Sequence, residues 1–168
     1  DTGMGRIGFL AAEAGAAIER ILSLPGLTVE GIYSHFATAD AADLTYARQQ
    51  LNTFTRVVND LETKGISIPL KHLANSGGIL NLPDSYFDMV RAGLILYGMS
   101  PSPWRDREKL GLRPAFSLKA KVVFVKRAQA WTGISYGQRY HTRKETTIVT
   151  LPIGYADGWS RALSGKTR

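Results

Sequence analysis

The chain contains no cysteine among its 168 residues. That excludes a disulfide framework and a thiolate metal site, and it fits a reducing compartment such as the cytoplasm. No run of eighteen apolar residues occurs, so no membrane span is expected. The basic start and apolar run of a signal peptide are missing as well. So is an initiator methionine. Asp1-Thr-Gly-Met-Gly-Arg6 reads as the tip of a loop that should follow a strand, and the expectation is a piece cut from a longer protein. Acidic residues are scarce in one region only. Residues 1–100 hold 7 Lys/Arg against 10 Asp/Glu, and residues 101–168 hold 14 against 4, which places a charge of +10 in the second part against −3 in the first. A basic half suits either a nucleic-acid surface or the attraction of small anions. No helix-turn-helix pattern or zinc finger accompanies it, and no nucleic-acid partner is expected.

What is present is ordinary for an enzyme: 44% hydrophobic and 21% charged residues, in a length that suits one to two small domains. Phe9 to Leu24 is Ala-rich and predicts a helix stopped by Pro25-Gly26. Leu27 to Phe36 predicts a strand. Leu44, Ala47, Leu51, Phe54, Val58 and Leu61 recur at helical steps and predict a buried stripe, with Asp40 or Asp43 as cap and Lys64-Gly65 as stop. Two further strands are expected at Ile66–Leu73 and Phe87–Arg91, with a short helix between them after Asn75-Ser-Gly-Gly78. Strand–helix alternation implies a parallel sheet or barrel. Three strands cannot close an eight-stranded barrel alone. Pro101, Pro103 and Pro114 suggest a linker. From Ala115 the pattern changes to strands and Gly-bearing turns, with strands expected at Phe116–Val125 and Thr146–Leu151. The expected organisation is α/β over 1–112, then a mainly β domain over 113–168.

Several polar residues fall at the ends of these strands. Arg6, flanked by glycines, suits a carboxylate or a phenolate oxygen, and serves equally as a surface arginine. His35 ends a strand, where it is either a satisfied half-buried residue or faces an active site. Asn75 and Ser76 open a helix whose first N–H groups favour an anion, and the same letters make a plain cap. Arg91-Ala-Gly93-Leu94 repeats that arrangement at the next strand end, and two such loops side by side form a known barrel phosphate site. Tyr136 is a general base only where neighbours lower its pKa, and otherwise a packing residue.

Taken in order and spacing, Asp1-Thr-Gly-Met-Gly-Arg-Ile-Gly8, Gly31-Ile-Tyr-Ser-His-Phe-Ala-Thr-Ala39, His72-Leu-Ala-Asn-Ser-Gly-Gly78, Arg91-Ala-Gly-Leu94, Gly133-Ile-Ser-Tyr-Gly137 and Leu151-Pro-Ile-Gly-Tyr-Ala-Asp-Gly158 resemble the alanine racemase family. The resemblance implies the C-terminal part of a TIM-type (β/α)8 barrel followed by the start of a mainly β domain, in a head-to-tail homodimer whose active site is shared between subunits. It implies a cytoplasmic isomerase that interconverts L- and D-alanine on pyridoxal 5'-phosphate by two-base proton transfer, supplying D-alanine for peptidoglycan. No metal, nucleic acid or membrane is expected as a partner.

Residue by residue, Arg6 matches the family's arginine near the cofactor's phenolic oxygen and the substrate carboxylate. His35 matches the histidine near the pyridine ring, and Arg91 the arginine bonded to the pyridine nitrogen. Asn75, Ser76, Gly93 and Leu94 match cofactor contacts, the last three of them to phosphate. Tyr136 matches the catalytic tyrosine that enters the partner's site. The family's Schiff-base lysine belongs upstream of Asp1, and none of this chain's lysines sits in a matching motif. The family's Met-Asp substrate contact and phosphate-binding tyrosine belong after residue 168. The chain alone is therefore expected to be inactive. A racemase for another amino acid such as serine, and a basic non-catalytic binding module, are the alternatives.

Overall fold

The structure is a computed structural model that describes residues 1–106 and 108–163. It divides into two compact units, Asp1–Phe116 and Ser117–Arg168.

The first unit runs α1 (Ala11–Leu22), β1 (Gly31–Tyr33), α2 (Thr45–Thr63), β2 (Leu70–His72) and α3 (Ser76–Asn81). Strands β1 and β2 are parallel, with Gly31 opposite Leu70 and Tyr33 opposite His72. The α2 stripe forms as its spacing predicts: Ala47, Leu51, Phe54, Val58 and Leu61 are buried. The first four pack with Phe36, Ala39, Leu73 and Leu82 in one cluster, and Leu61 packs with Ile18 and Ile68 in a second. Each fully buried large side chain contributes about 1.5–3 kcal/mol, so this stripe is the main force holding α2 over the strands. Among the described residues no helix is long and apolar enough to cross a membrane.

Three expectations need correction. Neither Asp40 nor Asp43 caps α2; the cap position is Leu44, which offers no side-chain bond, and Asp43 instead accepts the Thr45 N–H at 2.8 Å. The first two strands are shorter than expected, because β-rich residues become strand only where a neighbour pairs with their backbone. The third expected strand reduces to a single parallel bridge between His72 and Met89. Phe87 lies at φ 48° and bends the chain before it can pair. Asp88 then takes the ladder's place: its carboxylate accepts the Lys71 N–H at 2.8 Å and its own N–H donates to Lys71 O at 3.0 Å. The Arg91 N–H continues alongside to Ala74 O at 2.9 Å.

The second unit holds β3 (Phe124–Ala128) paired antiparallel with β6 (Thr146–Thr150), and the hairpin β4 (Gly133–Ile134) with β5 (Tyr140–His141). No α-helix occurs among its described residues, only 3-10 turns. The strand expected from Phe116 begins at Phe124, because the backbone before it makes one ladder bond, Val123 N–H to Thr150 O. Thr142 is fully buried; its hydroxyl donates to Gln129 O at 2.6 Å and accepts the Thr132 N–H at 3.0 Å, which closes the hairpin's open end.

Candidate active site

The polar residues of the first unit gather at the carboxyl ends of β1, β2 and the segment beside β2, where parallel α/β folds place ligands. Arg91 is the centre. It is partly buried, and its Nη2 donates to Ser34 O at 2.7 Å and lies 3.3 Å from His35 Nδ1. Its Nη1 bonds His72 Nδ1. The Tyr33 ring stacks on His72 at 5.0 Å and 2°, and the guanidinium lies 5.2 Å from the centre of that same ring. An arginine can only donate. His72 therefore presents Nδ1 as acceptor and, in the neutral form, carries its proton on Nε2. At His35 both ring nitrogens face donors, Arg91 Nη2 at Nδ1 and Asn75 Nδ2 at Nε2, each at 3.3 Å.

Electrostatics favour that neutral form. Burial pushes the pKa of His35 down, and the charges of Arg91 and then Arg6 push it further. Burial and Arg91 act on His72 in the same direction. Burial also lowers the pKa of Arg91, with a smaller contribution from Arg6, yet a guanidinium remains a cation at any working pH. Among the described residues, no carboxylate lies within salt-bridge distance of Arg6 or Arg91. Two uncompensated guanidinium groups beside two neutral imidazoles leave a positive field, which suits an anion.

The adjoining loops meet at Ser76. Its hydroxyl oxygen accepts the Gly93 N–H at 2.8 Å and, more weakly, the Ile95 N–H at 3.5 Å. With the oxygen so engaged, the hydroxyl proton is free to be donated. Asn75 caps α3 by accepting the Gly78 N–H at 3.0 Å, while its amide nitrogen donates to Phe36 O at 3.3 Å beside His35 Nε2. Gly77 allows the close approach that seats this turn, because a Cβ there would lie 2.8 Å from the Ala39 carbonyl carbon and the Asp40 nitrogen.

Arg6 is exposed, in a loop whose backbone N–H groups at Gly3, Met4 and Gly5 all donate to Asp1 Oδ1. With Tyr33, Ser34 and His35 it lines a cavity of about 310 Å³ whose other walls are largely apolar, among them Ile7, Ile18 and Ile32. Among the described residues no lysine lines that cavity: Lys64 pairs with Glu19 at 2.6 Å and Lys71 with Glu62 at 3.4 Å. Among the described residues no group of three His, Asp or Glu side chains is placed to hold a metal ion.

Arg6, His35, Asn75, Ser76, Arg91, Gly93 and Leu94 thus all belong to the first unit, and Tyr136 to the second. Tyr136 is 88% exposed, at the turn between β4 and β5. Ser135 before it has φ 61° and ψ −169°, a region almost reserved for glycine, and Gly137 after it has φ 72°. Sequence reasoning passed over His72, Tyr33, Ser34 and Gln50 as site residues. His72 was visible as the first letter of its motif. Gln50 was visible as a lone polar residue on an apolar stripe.

Comparison with known proteins places these observations. Residues 1–101 match the family model "Alanine racemase, N-terminal domain" and residues 115–168 the model "Alanine racemase, C-terminal domain". The chain is 52% identical over 99% of its length to alanine racemase of Desulforamulus reducens, and 51% identical over 100% to that of Clostridium perfringens strain SM101. It spans 45% and 44% of those two relatives. Among solved structures it is similar to alanine racemase of Clostridium difficile 630, with TM-score 0.81 and 42% identity over 96% of this chain and 42% of that one. It is similar also to the enzyme of a D-cycloserine-producing Streptomyces lavendulae, with TM-score 0.79 and 42% identity over 94% and 42%. The expected fold class holds: the chain covers the later part of the barrel and the start of the β domain. The match over 115–168 sets most of the basic half within the family's C-terminal domain.

Proposed function

The chain belongs to the alanine racemase family, and from that membership we propose that a protein of full family length carrying it interconverts L- and D-alanine with pyridoxal 5'-phosphate. On this reading it works as a homodimer and supplies D-alanine for the cell wall. On the same reading the barrel part ends at residue 112 and the β-rich domain begins at 113. The observation that carries the reading is Arg91, a guanidinium held at the strand ends by two carbonyls and two neutral imidazoles, with no carboxylate among the described residues to neutralise it.

The residues fit the cofactor. A free hydroxyl proton on Ser76 and the backbone of Gly93 and Leu94 suit its phosphate. When bound, pyridoxal phosphate draws electrons from the substrate's α-carbon and so acidifies the α-proton. Of the five donors on Arg91, those not committed to Ser34, Leu73, His35 and His72 would be left for the ring nitrogen. Arginine would give a hydrogen bond there without giving up its proton, which would leave the ring a weaker electron sink and restrain side reactions. His35, held neutral, would add no cation beside the ring. Arg6 presents a planar fork to the substrate carboxylate. Tyr136, exposed and fixed between two positive-φ residues, moves the proton at one face of the α-carbon in the partner's site.

The test is α-proton exchange in deuterated water by the full-length protein. Tyr136→Phe should slow racemisation by roughly 10²–10⁴-fold. It should impair exchange from one alanine enantiomer more than from the other. Exchange of both enantiomers at the wild-type rate would remove Tyr136 from the chemistry.

A further inference from the structure

Gln50 is the one polar side chain among the buried residues of α2, and it is 1% exposed. An amide in an apolar stripe destabilises unless its groups are paired. Here every group is engaged, with the segment just after β1 and with the loop that leads to Arg6. Its Oε1 accepts the Ala37 N–H at 2.9 Å, and its Nε2 donates to His35 O at 3.1 Å and lies 3.5 Å from Thr2 Oγ1. Thr2 Oγ1 in turn shares a hydrogen bond with Ser34 Oγ at 2.7 Å. One helical turn earlier, Tyr46 donates its hydroxyl to Gly3 O at 2.9 Å. Gly3 has φ +127°, and a Cβ there would lie 2.2 Å from the Tyr46 oxygen. Two residues four apart on one helix face therefore grip both the end of β1 and the loop that leads to Arg6.

We propose that Gln50 is a positioning residue: from inside α2 it fixes the backbone from the His35 carbonyl to the Ala37 N–H, on both sides of Phe36, and, with Thr2 and Tyr46, the Arg6 loop, so that His35 and Arg6 face one space in a set register. A methionine would fill the same volume in the stripe and pack as well. What it cannot do is hold a carbonyl and an N–H two residues apart. The role assigned to His35 and Arg6 rests on the cofactor reading above, whereas the grip itself does not.

The chain has three histidines, so ring-proton NMR can follow His35 alone. The groups that face it are Arg91, Arg6 and Asn75, with His72 beyond Arg91. In the wild-type chain His35 should titrate below 6.5. In Gln50→Met, and in Gln50→Asn, whose amide is one methylene too short to span both bonds, His35 should titrate closer to 6.5 as the ring leaves its pocket and the two cations. A purely structural amide would lower stability to urea and leave that titration unmoved. In the full-length protein the same variants should lose up to about 10²-fold in kcat, the scale of an ångström-level misplacement, with a smaller change in KM. Tyr46→Phe, at a largely exposed residue whose loss does not threaten folding, should raise KM through the Arg6 loop alone. A folded Gln50 variant with unchanged His35 titration and kcat overturns the proposal. Pyridoxal phosphate binding that survives both His35→Ala and Arg6→Ala would instead overturn the cofactor reading, and the titration shift would still support the grip.

Discussion

Replacing Arg91 by methionine tests the electrostatic account of the site. The perturbation removes a charge-assisted bond to Ser34 O at 2.7 Å and the bond to His72, and leaves a buried carbonyl without its donor. Bonds to charged groups contribute about 1.5–3 kcal/mol and an unpaired buried acceptor costs about 1–3 kcal/mol. Much of this is one loss seen from two sides, and the methionine recovers the packing of the arginine stem. A net loss of about 2–4 kcal/mol near neutral pH follows. The pH dependence is the sharper signature. His35 and His72 are held below 6.5 first by burial and then by Arg91. In the unfolded chain they take up protons at their ordinary value, so between the folded and unfolded pKa values the unfolded state binds more protons. Stability is therefore complete above 6.5 and is lost as pH falls through the lowered folded values. Removing Arg91 leaves burial in place and lifts its charge, so the folded values rise toward 6.5 and the loss becomes shallower. Urea unfolding of wild type and Arg91→Met from about pH 7.5 to about pH 5, spanning the histidine range, should show the stability gap narrowing as pH falls. A gap that stays constant or widens would refute the reasoning.

The 168-residue chain alone, given pyridoxal phosphate, should bind it weakly and reversibly by absorbance and form no D-alanine at an enzymatic rate, since no lysine lines the Arg6–His35 cavity. Robust turnover by the chain would contradict this. Asn75→Ala should cost about 0.5–2 kcal/mol through the lost cap on Gly78, measured by urea unfolding, and should weaken pyridoxal phosphate binding by the same titration. Trp131, 76% exposed with φ 66°, stands where glycine is at ease. Trp131→Gly should raise stability by up to about 1 kcal/mol in thermal unfolding, against the usual direction for glycine.

The three helices and the motif loops were legible in the sequence because each rests on local chemistry: a 3.6-residue stripe in α2, Pro25-Gly26 after α1, and Asn75 before α3. The strands were legible only as β-rich runs. Their extent depends on who pairs with them, which is a non-local fact; Phe116 to Val123 has the alternation of a strand and makes one ladder bond. In the site, residues carried by motifs were found and those that support them were not. His72 and Tyr33 matter through their contact with Arg91, which lies 19 residues beyond His72 in the chain. Gln50 breaks a pattern instead of forming one. Asp88 standing in for a strand bond has no signature in composition at all.

The bond from Gly93 N–H to Ser76 Oγ has a thermodynamic consequence. The two anion loops are latched to each other before any ligand arrives, so a phosphate entering between them finds loops already ordered and largely avoids the ordering entropy that a floppy loop would cost, about 0.5–1.5 kcal/mol for each immobilised side chain. Its contact with the Gly93 amide exchanges one acceptor for another, and such exchanges carry little net enthalpy. Calorimetry on a series of oxyanions should then register shape and charge: tetrahedral sulfate should follow phosphate closely, and planar nitrate, unable to span the two loops, should fall well behind.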